Sequence, residues 1–287
     1  MTIITILICI AIQKFANVGG WFSSSWFESY LKLLQPWLKK LNEWLGVLLV
    51  LVPIYLVLLG LHYILTWKMF GFGLFDLLLV VIVLFFAMDA RDFKYELAQY
   101  FERLDKKDIN GAASAVAEFL YGPAPTSLME LNRAVTQAIA LRSFERLFAV
   151  LFWFALFGIY GAAIYYAITL IKKTALQVDT NLAALAKITA RIQDILDWLP
   201  TRILGFSYTL AGKFARVFNY WGKHCLSGPA SNQKFIVDTS LTAIDVNPAE
   251  EPIKSSAKEN NEALDLINRV LIIWVIAVAL FSLGRWL

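Results

Sequence analysis

The sequence has few of the residues on which soluble enzymes and disulfide-rich proteins depend. Only 17% of its 287 residues are charged, and it contains two histidines and two cysteines. Soluble domains carry about 25% charged residues, so the composition excludes an ordinary water-soluble protein. Cys9 and Cys225 provide neither a disulfide framework nor a metal-ligand spacing. We therefore expect no metal site.

Short motifs that identify known chemistry are also missing. The strings GxxxxGK[ST], GxGxxG, GxSxG and HExxH do not occur. The net charge is +4, and the basic residues form no run of five or more. This pattern excludes a nucleic-acid footprint. From motifs alone we predict no cofactor and no catalytic residue, with the lipid bilayer as the main partner.

Apolar residues are abundant instead, at 59% of the chain. About 20 apolar residues in a helix cross the hydrocarbon core of a membrane. Residues 45–88 contain two such runs with a short connection, which predicts a transmembrane hairpin. Residues 147–171 predict a third span, and residues 267–287 a C-terminal one.

The segment 89–146 is more polar. It opens with charged residues, and its apolar positions recur every three or four residues, as in an amphipathic helix. Residues 122–125 (GPAP) interrupt it, and a second helix is expected near Thr126 with Glu130 in its first turn. We predict a cytoplasmic helical subdomain that meets a protein partner or a ligand.

Four other segments are less clearly patterned. Residues 1–44 predict an apolar N-terminal segment and an amphipathic interfacial helix. Residues 172–198 predict an amphipathic helical linker, residues 199–218 a transmembrane or re-entrant helix, and residues 219–266 a polar loop. Lys and Arg favour cytoplasmic loops, and they are asymmetrically distributed only when 199–218 crosses the membrane. The fold class is therefore an all-α polytopic membrane protein with about five spans. No oligomeric state follows from the sequence.

The densest polar pattern precedes Pro200, which is expected at the start of a helix. Arg191, Asp194 and Asp197 are three residues apart and line one helical face, and Arg202 follows the proline. Two carboxylates between two guanidinium groups are able to bind a ligand or to lock a corner between two helices by salt bridges. The structural alternative is favoured.

Two secondary groups of candidates lie near predicted spans. Arg142, Glu145 and Arg146 share a helix face just before residue 147, where a basic headgroup anchor is the simpler interpretation. His62 and Asp76 lie near the ends of the predicted hairpin. Ionisable residues within a membrane are functional candidates, although contact with the headgroup layer is favoured for both.

Two blocks of the sequence carry a family resemblance. Residues 148–154 (FAVLFWF), followed by Gly158, Gly161 and Tyr165, resemble the third-span signature of the AmpE family. Residues 197–202 (DWLPTR) are similar to that family's following motif. The resemblance implies a Gram-negative inner-membrane protein linked to β-lactamase induction, with a regulatory role.

The AmpE family is distantly related to the adenosylcobinamide-phosphate synthases of cobalamin biosynthesis. Those enzymes carry E-N-x-x-D before the L-F-W block and N-T-x-D after it. This chain has LRSFE at residues 141–145 and ITLIK at residues 168–172. The missing acidic residues favour a non-catalytic modulator of an envelope stress response over the alternative, a membrane enzyme of the synthase type. A transporter is disfavoured because no internal repeat is present.

Overall fold

The structure, a computed structural model, describes residues 2–15, 25–66, 74–89, 92–246 and 257–284. Every regular element within these ranges is a helix, which confirms the all-α prediction. The connection inside the predicted hairpin and residues 247–256 of the predicted polar loop lie outside the described residues.

The first four helices precede the polar segment. They are α1 (Thr2–Phe15), α2 (Ser25–Leu38), α3 (Glu43–Thr66) and α4 (Leu74–Ala87). Residues 92–148 contain α5 (Phe93–Glu96), α6 (Ala98–Asp105), α7 (Ile109–Val116), α8 (Leu128–Ser143) and a π-helical turn (Phe144–Phe148). The remaining helices are α9 (Ala149–Val178), α10 (Ala183–Ala211), α11 (Phe214–His224), α12 (Asn232–Ala243) and α13 (Ala257–Gly284).

Three helical stretches within the described residues are long and apolar enough to cross a membrane. They are Glu43–Leu65, Leu128–Val178 and Ala257–Ser282, and Phe75–Ala87 is a shorter apolar helix. The polytopic membrane class is therefore confirmed, while the count of five spans stays a prediction. Glu130 lies in the first turn of α8 as expected.

The chain divides into two compact units. Unit 1 comprises Met1–Ala90, Val150–Asp197 and Phe281–Leu287, and unit 2 comprises Arg91–Ala149 and Trp198–Leu280. In unit 1, α2 packs on α3, and α1 packs on α4. Buried apolar side chains including Phe27, Val50 and Ile171 form its core.

Unit 2 has a polar core centred on Asn132. The Tyr100 hydroxyl donates to Asn132 Oδ1 at 2.5 Å, and Asn260 Nδ2 donates to the same oxygen at 3.2 Å. The Thr136 hydroxyl donates to Asn260 Oδ1 at 2.5 Å. Because buried amides are stable only when their hydrogen bonds are satisfied, this network fixes α6, α8 and α13 against one another.

The predicted helical corner at Pro200 is wrong. Helix α10 continues from Ala183 to Ala211 with Pro200 inside it. A proline within a helix removes one backbone hydrogen bond and costs about 3 kcal/mol. Here Leu204 and Tyr208 beyond the proline are completely buried, and their packing keeps the helix intact. Arg191, Asp194, Asp197 and Arg202 therefore lie on one continuous helix.

The predicted polar loop 219–266 contains regular structure. Its centre forms α12, in which Phe235, Ile236 and Leu241 are buried. Unit 2 packs α12 against α8 and α11. The sequence did not predict this helix, because its closely spaced serine and threonine residues are typical of loops. In the structure the Thr239 hydroxyl instead donates to the Phe235 carbonyl one turn earlier.

Candidate functional site

A π-helical turn interrupts the helical run of unit 2 at Phe144–Phe148. Such turns are rare and occur often at functional sites, since the inserted residue redirects the side chains around it. Glu145 and Arg146 lie within this turn, and Arg142 lies two residues before it, in the last turn of α8. These are the three candidates that the sequence grouped on one helix face.

Arg146 is paired with Glu96 of α5. Its Nη1 lies 2.7 Å from Glu96 Oε2, and its Nη2 lies 3.3 Å from Glu96 Oε1. The two side chains are 9% and 21% exposed. The guanidinium carbon is also 5.5 Å from the centre of the Phe93 ring. This is a bidentate, largely desolvated ion pair, which fixes the direction of both side chains.

Glu145 is held by Tyr121. The tyrosine hydroxyl donates to Glu145 Oε2 at 2.6 Å. Tyr121 is 46% exposed as a whole. Desolvation by the surrounding protein raises the pKa of Tyr121, and the Glu145 carboxylate raises it further. The phenol therefore stays protonated and remains a donor to Glu145.

Arg142 completes the arrangement. Its guanidinium carbon lies 4.4 Å from the centre of the Tyr121 ring, a cation–π distance. Its Nε and Nη2 each lie 3.2 Å from backbone carbonyl oxygens, those of Phe119 and Glu118 respectively. Arg142 thereby connects α8 to the segment that carries Tyr121.

We call this group the π-turn cluster; its members are Glu96, Tyr121, Arg142, Glu145 and Arg146. Guanidinium groups suit carboxylate and phosphate ligands, and a positioned carboxylate is able to accept a proton from a reacting group. The side chains of the cluster are thus of the types that bind anions and accept protons. Among the described residues, no group of three His, Cys, Asp or Glu side chains is arranged to hold a metal ion.

Sequence reasoning did not single out Glu96 or Tyr121 as site residues. Glu96 is 50 positions from Arg146, and Tyr121 is 24 positions from Glu145. Two local signals were present: Glu96 directly precedes the buried Leu97 of an amphipathic segment, and Tyr121 directly precedes the GPAP break. Neither signal identifies a partner across such separations.

Arg202 binds a loop of its own unit. It is 5% exposed, and its Nε donates to the Cys225 carbonyl at 2.9 Å. Its Nη1 donates to Asn232 Oδ1 at 2.8 Å, and its Nη2 to the Ser227 carbonyl at 2.6 Å. Protein acceptors thus engage all three guanidinium nitrogens, as expected for a structural role.

The three other residues of this pattern differ in their surroundings. Arg191 is exposed and Asp194 is half-buried. Burial raises the pKa of Asp194, and the positive charge of Lys172 opposes that shift. Asp197 is 7% exposed and accepts a hydrogen bond of 2.8 Å from the Tyr165 hydroxyl.

His62 and Asp76 come together in unit 1, as the hairpin prediction implies. His62 Nε2 lies 3.6 Å from Asp76 Oδ1, and His62 Nδ1 lies 3.1 Å from the Tyr160 hydroxyl. They line a cavity of about 230 Å³ beside Gly158. At Gly158 the backbone leaves the helical conformation, with φ of 62° and ψ of −149°.

The fold and the π-turn cluster define a polytopic helical membrane protein with a charged cluster that contains one largely buried ion pair. The family model for the CobD/Cbib protein matches residues 13–237, so this chain belongs to that family. It is 25% identical over 161 residues to the cobalamin biosynthesis protein CobD of Chromobacterium violaceum, covering 54% of this chain and 50% of the relative.

A second relative is the cobalamin biosynthesis protein CobD of Stutzerimonas stutzeri. It is 27% identical over 89 residues, which covers 31% of this chain and 29% of the relative. The chain thus spans half the length, or less, of the curated relatives that it matches. No solved structure matches it significantly.

The expectation of a non-catalytic AmpE-type regulator is wrong. The family match and both relatives belong to the CobD group. The interpretation relied on two short blocks and on two missing acidic strings. Similarity to the family extends instead over more than 200 positions, and Glu96 contributes a carboxylate to the cluster from a distant segment. Two local strings were too little evidence to exclude an enzyme.

Proposed function

We propose that this protein is a membrane enzyme of cobalamin biosynthesis, of the adenosylcobinamide-phosphate synthase type, that forms an amide bond on a corrinoid. The observation that carries the proposal is the family match over residues 13–237. The two CobD relatives support the same pathway. We place the protein in the inner membrane of a Gram-negative bacterium, with unit 2 as the part that meets the substrate.

The π-turn cluster is the proposed site. Amide formation requires a carboxyl group that a nucleoside triphosphate has activated as an acyl phosphate. The amine nitrogen attacks the acyl carbon, negative charge develops on the carboxyl oxygen, and the amine loses a proton. The new C–N bond then replaces the C–O bond to the phosphate, which leaves. Glu145 is the proposed proton acceptor, since Glu96 is already paired with Arg146. Tyr121 orients the Glu145 carboxylate through its 2.6 Å hydrogen bond.

The two arginines are assigned to the anionic groups. Arg142 and Arg146 flank Glu145 within one turn on each side. Their positive charge favours an anionic group nearby and stabilises negative charge that develops during the reaction, although Glu96 already occupies both terminal nitrogens of Arg146. Because both arginines are fixed by the protein before substrate binds, little reorganisation is required.

Growth complementation tests the proposal. A strain that lacks cobinamide-phosphate synthase and depends on its own cobalamin should grow when it expresses this chain. Glu145→Gln should abolish growth, because an amide cannot accept the proton, and a typical general base contributes a factor of about 10²–10⁴ in rate.

Glu102→Gln is the matched control, since Glu102 is an exposed residue of the same unit that pairs with Lys106. It should grow as the wild type does. Immunoblots of membranes must show equal amounts of all three proteins. No growth with abundant wild-type protein in the membrane would overturn the proposal.

A further inference from the structure

An exposed apolar stripe runs along the end of α10 and onto α11, within unit 2. Its members recur every three or four residues and are 40–56% exposed, and they are Leu199, Ile203, Phe206, Leu210, Phe214 and Phe218. Leu226, just beyond α11, is 87% exposed. Contiguous exposed apolar surface of this kind marks an interaction surface.

Helix α11 has three distinct faces. Val217 is completely buried, and the Tyr220 hydroxyl donates to Asp238 of α12 at 2.8 Å, so one face packs on unit 2. Phe214 and Phe218 stack in parallel with ring centres 5.6 Å apart on a second, exposed face. The third face carries the exposed Arg216 and Lys223.

This pattern is typical of a helix that lies in a membrane interface. Such helices place aromatic residues among the acyl chains and basic residues at anionic headgroups. Lys213, Arg216 and Lys223 supply the positive charge. Asp245 pairs with Lys213 at 3.7 Å and also contacts Arg216, which leaves an excess of positive charge for anionic lipid.

A contact within unit 2 indicates the depth of this segment. Trp274 Nε1 of α13 donates to Ser207 Oγ of α10 at 3.0 Å. Trp274 lies five residues after Arg269 in α13, or about 8 Å along that helix. Because Trp274 is 5% exposed and lies inside the apolar part of α13, Ser207 lies inside the span, at the depth of Trp274, and not in the headgroup layer.

The helix lengths argue against a crossing by residues 199–218. Helix α10 ends at Ala211 and α11 begins at Phe214. The part of α10 from residue 199 onwards covers only about 20 Å, less than the roughly 30 Å of hydrocarbon core. Of the described helices that are long and apolar enough to cross, none includes these residues.

Two glycines let the end of α10 and the following connection pack closely on α12. A Cβ atom on Gly205 would lie 2.5 Å from the Phe235 ring, and one on Gly212 would lie 2.8 Å from the Ala243 carbonyl oxygen. Both positions permit close packing on α12, and Trp221 Nε1 donates to the Arg202 carbonyl at 2.9 Å. These contacts hold the change of direction between α10 and α11 in place within unit 2.

We propose that residues 212–226, which follow the end of α10, form an interfacial anchor that lies in the headgroup layer of an anionic membrane without crossing it. Phe214, Phe218 and Leu226 enter the acyl boundary, and Lys213 and Lys223 contact lipid phosphates. The inference goes beyond the proposed function and does not depend on it.

Spin-label accessibility in the full chain tests the anchor. Single cysteines replace Phe218 and Arg216 in a Cys9→Ser, Cys225→Ser background, with Phe214→Cys as a second apolar position should Phe218→Cys fail to fold. Ile276→Cys on α13 is the lipid-facing control and Lys106→Cys, just after α6, is the water-facing control; the native residues are 54% exposed and largely exposed, respectively. The protein is reconstituted into phosphatidylcholine vesicles with and without phosphatidylglycerol.

The anchor predicts that a label at 218 is reached by oxygen and shielded from a polar nickel reagent, at a depth of about 5–10 Å. A label at 216 should be reached by the nickel reagent. If oxygen reaches the labels at both 216 and 218 more readily than the nickel reagent does, the helix crosses the membrane. If the nickel reagent reaches the label at 218 as readily as the label in Lys106→Cys, that surface lies in water or against another protein. Either result overturns the proposal. Removal of phosphatidylglycerol should make the 218 label shallower, and an unchanged depth would refute anionic recognition.

Discussion

The Arg146 guanidinium donates two hydrogen bonds, of 2.7 and 3.3 Å, to the Glu96 carboxylate, although the two residues are 50 positions apart in the sequence. The pair joins α5 to the π-helical turn and positions the neighbouring Glu145. A buried ion pair is not by itself evidence of stability, because desolvation offsets its attraction. Removal of one partner, however, leaves the other charge uncompensated.

Glu96→Gln should therefore destabilise the protein by about 3 kcal/mol, the low end of the range for breaking a buried pair, since Glu96 keeps some exposure. Thermal unfolding in detergent provides the measurement. Glu102→Gln, at an exposed pair with Lys106, is the control and should melt as the wild type does. Equal melting of Glu96→Gln and wild type would show that the pair is not desolvated in the folded protein.

The Tyr121 hydroxyl should contribute a stability that is lost in alkali. Burial and Glu145 raise the pKa of Tyr121 above its ordinary value of 10.0. The unfolded state therefore releases this proton at a lower pH than the folded state does. Stability from Tyr121 is fully present below pH 10 and falls as the pH rises above it. Unfolding at pH 8 and pH 11 should show a smaller alkaline loss in Tyr121→Phe than in wild type, and an equal loss would contradict the shift.

Gly158 should resist substitution for reasons of backbone conformation alone. Its φ of 62° and ψ of −149° lie in a region that is open almost only to glycine. A Cβ there would meet nothing within 4 Å, so steric crowding plays no part. Gly158→Ala should cost about 1–3 kcal/mol in unfolding free energy.

The matched control is Gly60→Ala in α3, where a Cβ also meets nothing within 4 Å. Its backbone is helical, so alanine should stabilise by about 0.5–1 kcal/mol. Opposite signs for the two variants are the expected result. If both variants lose a similar amount of unfolding free energy, the non-helical backbone conformation at Gly158 is not the cause of the loss.

Arg202 should not tolerate lysine. Its guanidinium donates hydrogen bonds to Cys225, Ser227 and Asn232 at the same time. The single ammonium group of lysine cannot donate in all three directions. Arg202→Lys should cost about 2–3 kcal/mol, comparable with the loss of a hydrogen bond to a charged group. Limited proteolysis should then cut faster near residues 225–231. Arg216→Lys, at an exposed residue, is the control and should be cleaved as the wild type is. Unchanged cleavage in Arg202→Lys would argue that Arg202 binds a ligand instead.

Hydropathy and helical periodicity predicted the parts of this protein that depend on local composition. The apolar runs that became α3 and α13 were identified, as was the early carboxylate Glu130. The continuous α10 was missed because proline has a strong local preference for helix starts, which buried packing around Leu204 and Tyr208 overrides. The π-helical turn has no sequence signature at all.

The candidate site was predicted in part for the same reason. Arg142, Glu145 and Arg146 lie close together along the chain, so their spacing alone was enough to group them as candidates. Their partners Glu96 and Tyr121 come from other segments, and only tertiary packing brings them near. The family assignment failed similarly, because it weighed short strings over a similarity that extends along the chain.

The central claim is that this chain forms a corrinoid amide through the π-turn cluster. Corrinoids extracted from a synthase-deficient strain and analysed by mass spectrometry test it most directly. Cells that express wild-type or Glu102→Gln protein should contain cobinamide phosphate, and cells that express Glu145→Gln should contain only the unamidated precursor. Accumulation of precursor alone, with wild-type protein abundant in the membrane, would contradict it.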